Sequence, residues 1–172
     1  MFIELLRNRR SIRKFKDQPV EQEKIDTLIE AVLRSPSSRG LTPWNFFVIT
    51  ANEKIAELAR AKTHGSSFLA GAPLAIVVCA DPEKSDVWIE DASIAALILH
   101  LEAEDLGLGS CWIQIRSRAH NDQTSAESYV IDTLGLNPNA AVEAIVAIGY
   151  RAEEKEGRAA DSLLYDRVTY VR

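Results

Sequence analysis

Residues Arg9-Arg10-Ser11-Ile12-Arg13-Lys14-Phe15 crowd four cations into one short stretch of a chain whose formal net charge is -5. An acidic protein has little use for such a cluster except to hold a local anion. The serine in its midst points to a phosphate, bound by charge-assisted hydrogen bonds. Charge alone leaves a solvated helix end as the alternative. Two further segments carry polar groups beyond what a connection needs. Ser35-Pro36-Ser37-Ser38-Arg39-Gly40-Leu41-Thr42-Pro43-Trp44 is a hydroxyl-rich loop with a glycine, an arginine and a closing Pro-Trp, where Trp44 can equally be a core anchor. Gly107 to Gln114, GLGSCWIQ, ends a helix and opens a strand of alternating side chains.

Other chemistries find less support. His64, His100 and His120 are isolated, and no Cys or His pair has ligand spacing, so no metal is expected. His100 lies in an apolar segment and reads as a core histidine. Gly107-Leu108-Gly109 lacks the third glycine of a dinucleotide fingerprint and follows a helix rather than a strand. Glu90 and Asp91 read as an acid pair or as favourable charges in a helix's first turn.

The elements that must position these segments are legible from periodicity. At 172 residues the chain has room for one domain with one core, and we expect a single domain over 1–172. Ile25, Leu28, Ile29, Val32 and Leu33 follow a helical pattern that Pro36 should stop near Ser35. Phe46 to Ile49 reads as a strand, and Asn52 as the N-cap of a short helix carrying Ile55, Leu58 and Ala59. Leu74 to Ala80 is continuously apolar and should be a central strand. Ile89 to Leu106 is a helix with apolar residues on every face, which must be covered on all sides. A partner subunit is one way to cover it. Gly107 should end that helix, with Ser110 to Ile115 as the next strand. Thr124 to Glu127 fits a capping box opening a helix that closes at Gly135. Ala144 to Ile148 is a fourth strand and Val168 to Val171 a candidate fifth. Interspersed helices and strands indicate a mixed sheet with helices packed on it.

A sequence pI near 5.3 argues against a nucleic-acid face, and no apolar run is long enough to span a membrane. With no basic leader at Met1 to Leu6, no signal peptide is expected. Cys79 and Cys111 read as buried free thiols in a reducing compartment, so we expect a cytoplasmic protein.

Taken in order, Arg9 to Phe15, Ser35 to Trp44, Gly107 to Trp112 and Val146-Ala147-Ile148-Gly149-Tyr150 resemble the motifs of the nitroreductase family. The resemblance implies an α+β homodimer with a central mixed sheet, a long apolar interface helix and FMN bound between subunits. Arg9, Arg10 and Ser11 would then hold the FMN phosphate and ribityl hydroxyls. Arg13 would sit by the N1–O2 edge of the ring and favour the reduced flavin. Pro36, Ser37, Ser38 and Gly40 would come from the other subunit, with Arg39 beside them. Trp112, Ile113 and Gln114 would line the opposite face and rim, with a backbone N–H near Gln114 or Ile115 reaching N5. Lys155 and Arg158 lie where larger members carry a basic pair for the phosphate. Two family positions depart from the pattern, since the loop's asparagine is Gly40 here and its glutamine is Thr42.

The activity so implied is electron transfer from NADH or NADPH through the flavin to a small-molecule acceptor, a nitroaromatic, a quinone or a related compound, in ping-pong order. The flavin carries the chemistry and no catalytic side chain is nominated. The alternatives are a flavin storage or sensor protein, a divergent flavoenzyme of dehalogenase or flavin-breakdown type, and a plain dimeric scaffold.

Overall fold

A computed structural model describes all residues from Met1 to Arg172. Five helices and four strands alternate irregularly along the chain: α1 (Phe2–Asn8), α2 (Gln22–Leu33), β1 (Trp44–Ile49), α3 (Asn52–Leu58), β2 (Leu74–Ala80), α4 (Trp88–Asp105), β3 (Gly109–Gln114), α5 (Ala126–Leu134) and β4 (Ala141–Gly149). The strands form one sheet in the order β1-β2-β4-β3. Every neighbouring pair is antiparallel, so the sheet is not mixed as the sequence suggested. The one parallel contact is an isolated bridge between Ser11 and Ser110 at the β3 edge.

The apolar runs explain the layering. Both faces of the central strands β2 and β4 are covered, and every residue in them is buried. Ala75, Val77 and Cys79 of β2 face one core with Ile55, Leu58, Ala126 and Val130 of α3 and α5. Leu74, Ile76, Val78 and Ala80 face the other, with Leu28 and Val32 of α2 and Ala92, Ala96 and Leu99 of α4. β1 and β3 are the two edges, an arrangement that decides which segments of one chain can meet.

Several ends differ from expectation. Asn52 is the first helical residue of α3 rather than its cap, which is Ala51. Ser125 caps α5 by accepting the Ser128 N–H at 2.9 Å, while Glu127 turns away to accept the Val142 N–H of β4 at 2.7 Å. The cap is thus one residue later than the Thr124–Glu127 box predicts, which puts Ser128 rather than Glu127 at the third helical position. Gly107 and Gly135 have φ of 73° and 62° and close α4 and α5 as expected. Val168 to Val171 forms no strand. Val168 bonds only the local Tyr165 carbonyl, and the tail lies exposed without a sheet edge beside it.

α4 is buried along its inner face, yet Ile94 and Leu97 are 39% and 50% exposed, and α1, which packs against α4, exposes Phe2, Ile3 and Leu6. One chain alone does not cover the apolar surface that the sequence shows. No helix is long and apolar enough to cross a membrane.

Candidate functional site

The basic run is extended backbone threaded between two strand ends. Ile12 is fully buried and its N–H donates to the Ser110 carbonyl of β3 at 2.9 Å. Further on, the Lys14 carbonyl accepts the Ala152 N–H at 2.9 Å and the Lys16 N–H donates to the Tyr150 carbonyl at 2.8 Å, just beyond β4. With Ile12 inward, alternation turns Ser11 and Arg13 outward. Gly109 permits the contact: a Cβ there would lie 2.8 Å from Ile12 Cγ2 and 2.9 Å from Arg151 Cγ. The GLGS segment and the basic run are thus locked together by absent side-chain volume.

Chain beyond β4 closes the site from the other side. The Lys155 ammonium donates to the Ser11 carbonyl at 2.9 Å and pairs with Glu153 at 3.0 Å. Glu153 accepts the Arg13 and Lys14 N–H groups at 2.6 and 3.2 Å. The Arg13 backbone bond above all, then Lys155, holds the Glu153 carboxyl below the ordinary carboxylate range. Arg10 donates to the Glu156 carbonyl. The result is a cleft of about 840 Å³ whose lining includes Arg7, Arg9, Arg10, Arg13, Lys155 and Arg158 and not one carboxylate. Lys155 is paired with Glu153 and Arg7 with Glu4, but Arg9, Arg10, Arg13 and Arg158 have no carboxylate partner, which favours a multiply charged anion, and the Ser11 residue lining the cleft adds a hydroxyl. A phosphate group fits this donor set.

β3 supplies a second wall. Since Ser110 offers its carbonyl outward to Ile12, alternate residues of this edge strand, Trp112 and Gln114, also turn their backbone groups outward. The Ile115 N–H is engaged by the Glu143 carbonyl at 3.1 Å, which leaves Gln114 as the free member of that pair. The Gln114 side chain is fixed, accepting from the Trp112 indole at 2.9 Å and donating to the Arg116 carbonyl at 3.1 Å. Ile113 behaves otherwise: its side chain is 1% exposed and points into the opposite core, so it presents nothing to a ligand there.

The Ser35–Trp44 loop is built to hold a shape. Arg39, Gly40 and Thr42 have φ of 53°, 66° and 45°, a conformation costly for the two that are not glycine. Buried Asp91 of α4 pins it, accepting the Ser38 N–H at 2.8 Å and the Ser85 hydroxyl at 3.1 Å. Asp91 is therefore a clamp rather than half of an acid pair with exposed Glu90. Arg39 pairs with Asp86, and the Thr42 N–H donates to Ser37 Oγ at 2.9 Å. Ser35 Oγ and Trp44 Nε1 are buried without a hydrogen-bond partner. Pro36, Ser37, Ser38, Arg39 and Gly40 line no part of the cationic cleft. They sit at the β1 edge and the N-terminal end of α4, pinned at Asp91, whereas the basic run sits at the β3 edge, where Ser110 meets His100 in the second half of α4. The helix rises about 13.5 Å between Asp91 and His100, and strands β2 and β4 lie between the two sheet edges.

His100 donates to or accepts from Ser110 Oγ through Nδ1 at 2.7 Å and is 6% exposed, as a satisfied core histidine should be. Burial, with a smaller effect from Arg9, pushes it down from 6.5 to about 4. The sign follows directly. The folded state favours neutral His100, so its contribution to stability is complete above about pH 6.5 and is lost as pH falls towards 4. We expect wild type to lose on the order of 3 kcal/mol more than His100→Asn between pH 7 and 4, at about 1.4 kcal/mol per unit. Urea midpoints at the two pH values measure it, and parallel losses in both proteins would refute it.

Sequence reasoning missed Lys62 and Phe68. Lys62 is half-buried, and burial followed by Arg118 holds its ammonium below the ordinary lysine range. Phe68 lies under the Arg13 guanidinium, 5.6 Å from ring centre. Neither stands in a motif, and only the fold brings them to the β3 side. His64 is exposed on a turn. Cys79 and Cys111 are buried thiols, with burial pushing Cys79 up to about 12 and Cys111 upward.

An α+β subunit with an extended arginine-rich segment in a carboxylate-free cleft, beside outward backbone amides, has the donor set that a phosphate-bearing cofactor needs. The nitroreductase family model matches residues 6–65 and 59–150. A solved FMN-dependent nitroreductase from Clostridium difficile R20291 is 48% identical, with a TM-score of 0.97 and 99% of each chain covered. An Archaeoglobus fulgidus protein provisionally named NADH dehydrogenase/NAD(P)H nitroreductase is 34% identical over 163 residues, 92% of this chain and 90% of its own. The Vibrio harveyi NADPH:FMN oxidoreductase solved with NAD+ is 26% identical, with a TM-score of 0.79, covering 99% of this chain and 79% of its own. The chain belongs to the nitroreductase family.

Proposed function

We propose that this FMN-dependent NAD(P)H oxidoreductase works as a homodimer, with each flavin site shared between two protomers. The observation that carries the flavin reading is the cleft at Arg9–Arg13, six cations and a serine with no acid among the lining residues. Arg9, Arg10, Ser11 and Lys155 hold the phosphate, with Arg158 at the lip. Arg13, beside Phe68, places positive charge towards the pyrimidine edge of the ring. The outward Gln114 N–H is the donor offered to N5, a narrower assignment than Gln114 or Ile115. FMN when bound accepts two electrons from the nicotinamide donor and passes them to a small-molecule acceptor.

The dimer follows from distance and exposed apolar surface. The Ser35–Trp44 loop and the basic run occupy opposite sheet edges of one chain, so a loop wall over the cleft has to come from a second copy. Ile94 and Leu97 on α4, with Phe2 and Leu6 of α1, offer that copy an uncovered apolar face. A wall rigidly clamped by Asp91 excludes water on one side and leaves a single open face. Donor and acceptor use that face in turn, which is ping-pong order.

Purified protein should be yellow through gel filtration and bleach within seconds of anaerobic mixing with NADPH or NADH. Initial rates against both substrates should give parallel double-reciprocal lines. Bleaching by dithionite but by neither nucleotide would replace the oxidoreductase with a storage or sensing protein. Intersecting lines would remove the shared face.

A further inference from the structure

We infer that His100 is a positioning residue for the phosphate-binding strand, acting through Ser110. The inference rests on the reading of Arg9–Arg13 as the phosphate site. Apart from Asp91, which clamps the loop at its start, the buried face of α4 is apolar, with Ala92, Ala95, Ala96, Leu99 and Ala103 all fully buried. Packing at position 100 would be served by leucine. An imidazole there costs free energy unless it is hydrogen-bonded. Its bond goes to Ser110 Oγ at 2.7 Å, a hydroxyl whose residue is 3% exposed.

Ser110 is a junction of three elements. Its side chain meets α4, its backbone runs in β3, and its carbonyl accepts the Ile12 N–H in the middle of the basic run. The Ser11–Ser110 bridge is the only backbone bridge between the run and β3. Either His100 tautomer makes the link, because the serine hydroxyl can donate or accept. Breaking it leaves the Ser110 hydroxyl buried without a partner and frees the start of β3 to shift. Arg9, Arg10 and Ser11 then lose their register on the phosphate and Arg13 its place beside the ring, and sites of this kind tolerate only about 0.5 Å of displacement.

Asparagine presents an amide close to the imidazole Nδ1 position, whereas leucine keeps only the volume. Titration of apoprotein with FMN, followed by flavin fluorescence, should show His100→Leu weakening binding about tenfold, with kcat at saturating FMN within about twofold of wild type. His100→Asn should recover binding to within about threefold. Ser110→Ala should weaken it as His100→Leu does, and the double variant should be no worse than either single one. Equal weakening by leucine and asparagine, or additive losses in the double variant, would reduce His100 to packing and overturn the inference. Wild-type FMN affinity in His100→Leu or, should that variant not fold, in Ser110→Ala would overturn it too. Arg9→Ala/Arg13→Ala titrated alongside separates the two failures. If that variant also keeps its FMN, the phosphate site itself is misplaced; if it alone loses FMN, only the role of His100 falls.

Discussion

Replacing Arg9 and Arg13 together by alanine is expected to strip the protein of FMN while its fold and oligomeric state persist. Each charge-assisted contact to a phosphate or ring edge contributes about 1.5–3 kcal/mol, so losing both weakens binding by roughly 10²- to 10⁴-fold. The fold has little stake in these side chains. Neither forms an ion pair, Arg13 is exposed, and the buried anchor of the run is Ile12, which stays. The bonds that hold the run in place use backbone N–H groups of Ile12, Arg13 and Lys14, which alanine also has. Flavin absorbance after gel filtration, with light scattering for mass, reads both halves of the expectation. Arg34→Ala, which removes an exposed cation paired with Glu30 on α2, should keep its flavin. Stoichiometric flavin in the double variant would place the phosphate elsewhere.

The outcome matters because charge alone did not decide what this run does. Four cations in an acidic chain fit a solvated helix end as well as an anion site, and helix α1 does end at Asn8, directly before them. What separates the two is Ile12, whose complete burial between half-buried Ser11 and exposed Arg13 makes the run a strand-like wall. The alternation is visible in Arg-Ser-Ile-Arg, but its partner is not, since Ser110 lies almost a hundred residues away. The Gly109 contact, the Glu153 carboxylate and the placement of Lys155 are equally non-local. They arise where chain segments converge, and no spacing rule announces them.

Local patterns fared well where local physics governs. Helix stops at Pro36, Gly107 and Gly135, the continuous apolar strand β2 and the core histidine follow from backbone geometry and burial. Strand direction did not, because alternating elements fit parallel crossovers as well as antiparallel returns. Every neighbouring pair is antiparallel because β4 inserts between β2 and β3, which run in the same direction and are joined through α4. Ile113 shows the same limit at one residue. A motif groups it with Trp112 and Gln114, yet the two-residue period of a strand sends it to the other core. The loop at Ser35–Trp44 was recognisable as special, while its clamp, Asp91, stood among charges that any helix start can carry.

Gly109→Ala should damage stability and flavin binding together, and its neighbour Gly107 shows why the pairing is informative. At Gly107 a Cβ would meet nothing within 4 Å, and the cost of alanine is the left-handed φ of 73° alone, about 1 kcal/mol. That variant should melt earlier and still hold FMN, because the helix end can absorb the strain without moving β3. At Gly109 the new methyl would stand 2.8 Å from Ile12 Cγ2 and 2.9 Å from Ile12 Cβ and Arg151 Cγ. Ile12 cannot retreat: its β-branched side chain is stiff and wholly buried. Arg151 is held by Glu104 and by the Leu108 carbonyl. The strain is relieved only by pushing the basic run off β3, which breaks the Ile12–Ser110 bond and misplaces every phosphate contact at once. Overpacking of this kind costs about 1–3 kcal/mol, and FMN affinity should fall by at least as much as in His100→Leu. Thermal melting of the apoproteins and FMN titration of both variants test it. If Gly109→Ala melts early but binds flavin normally, the interlock of the two motifs serves the fold and not the site.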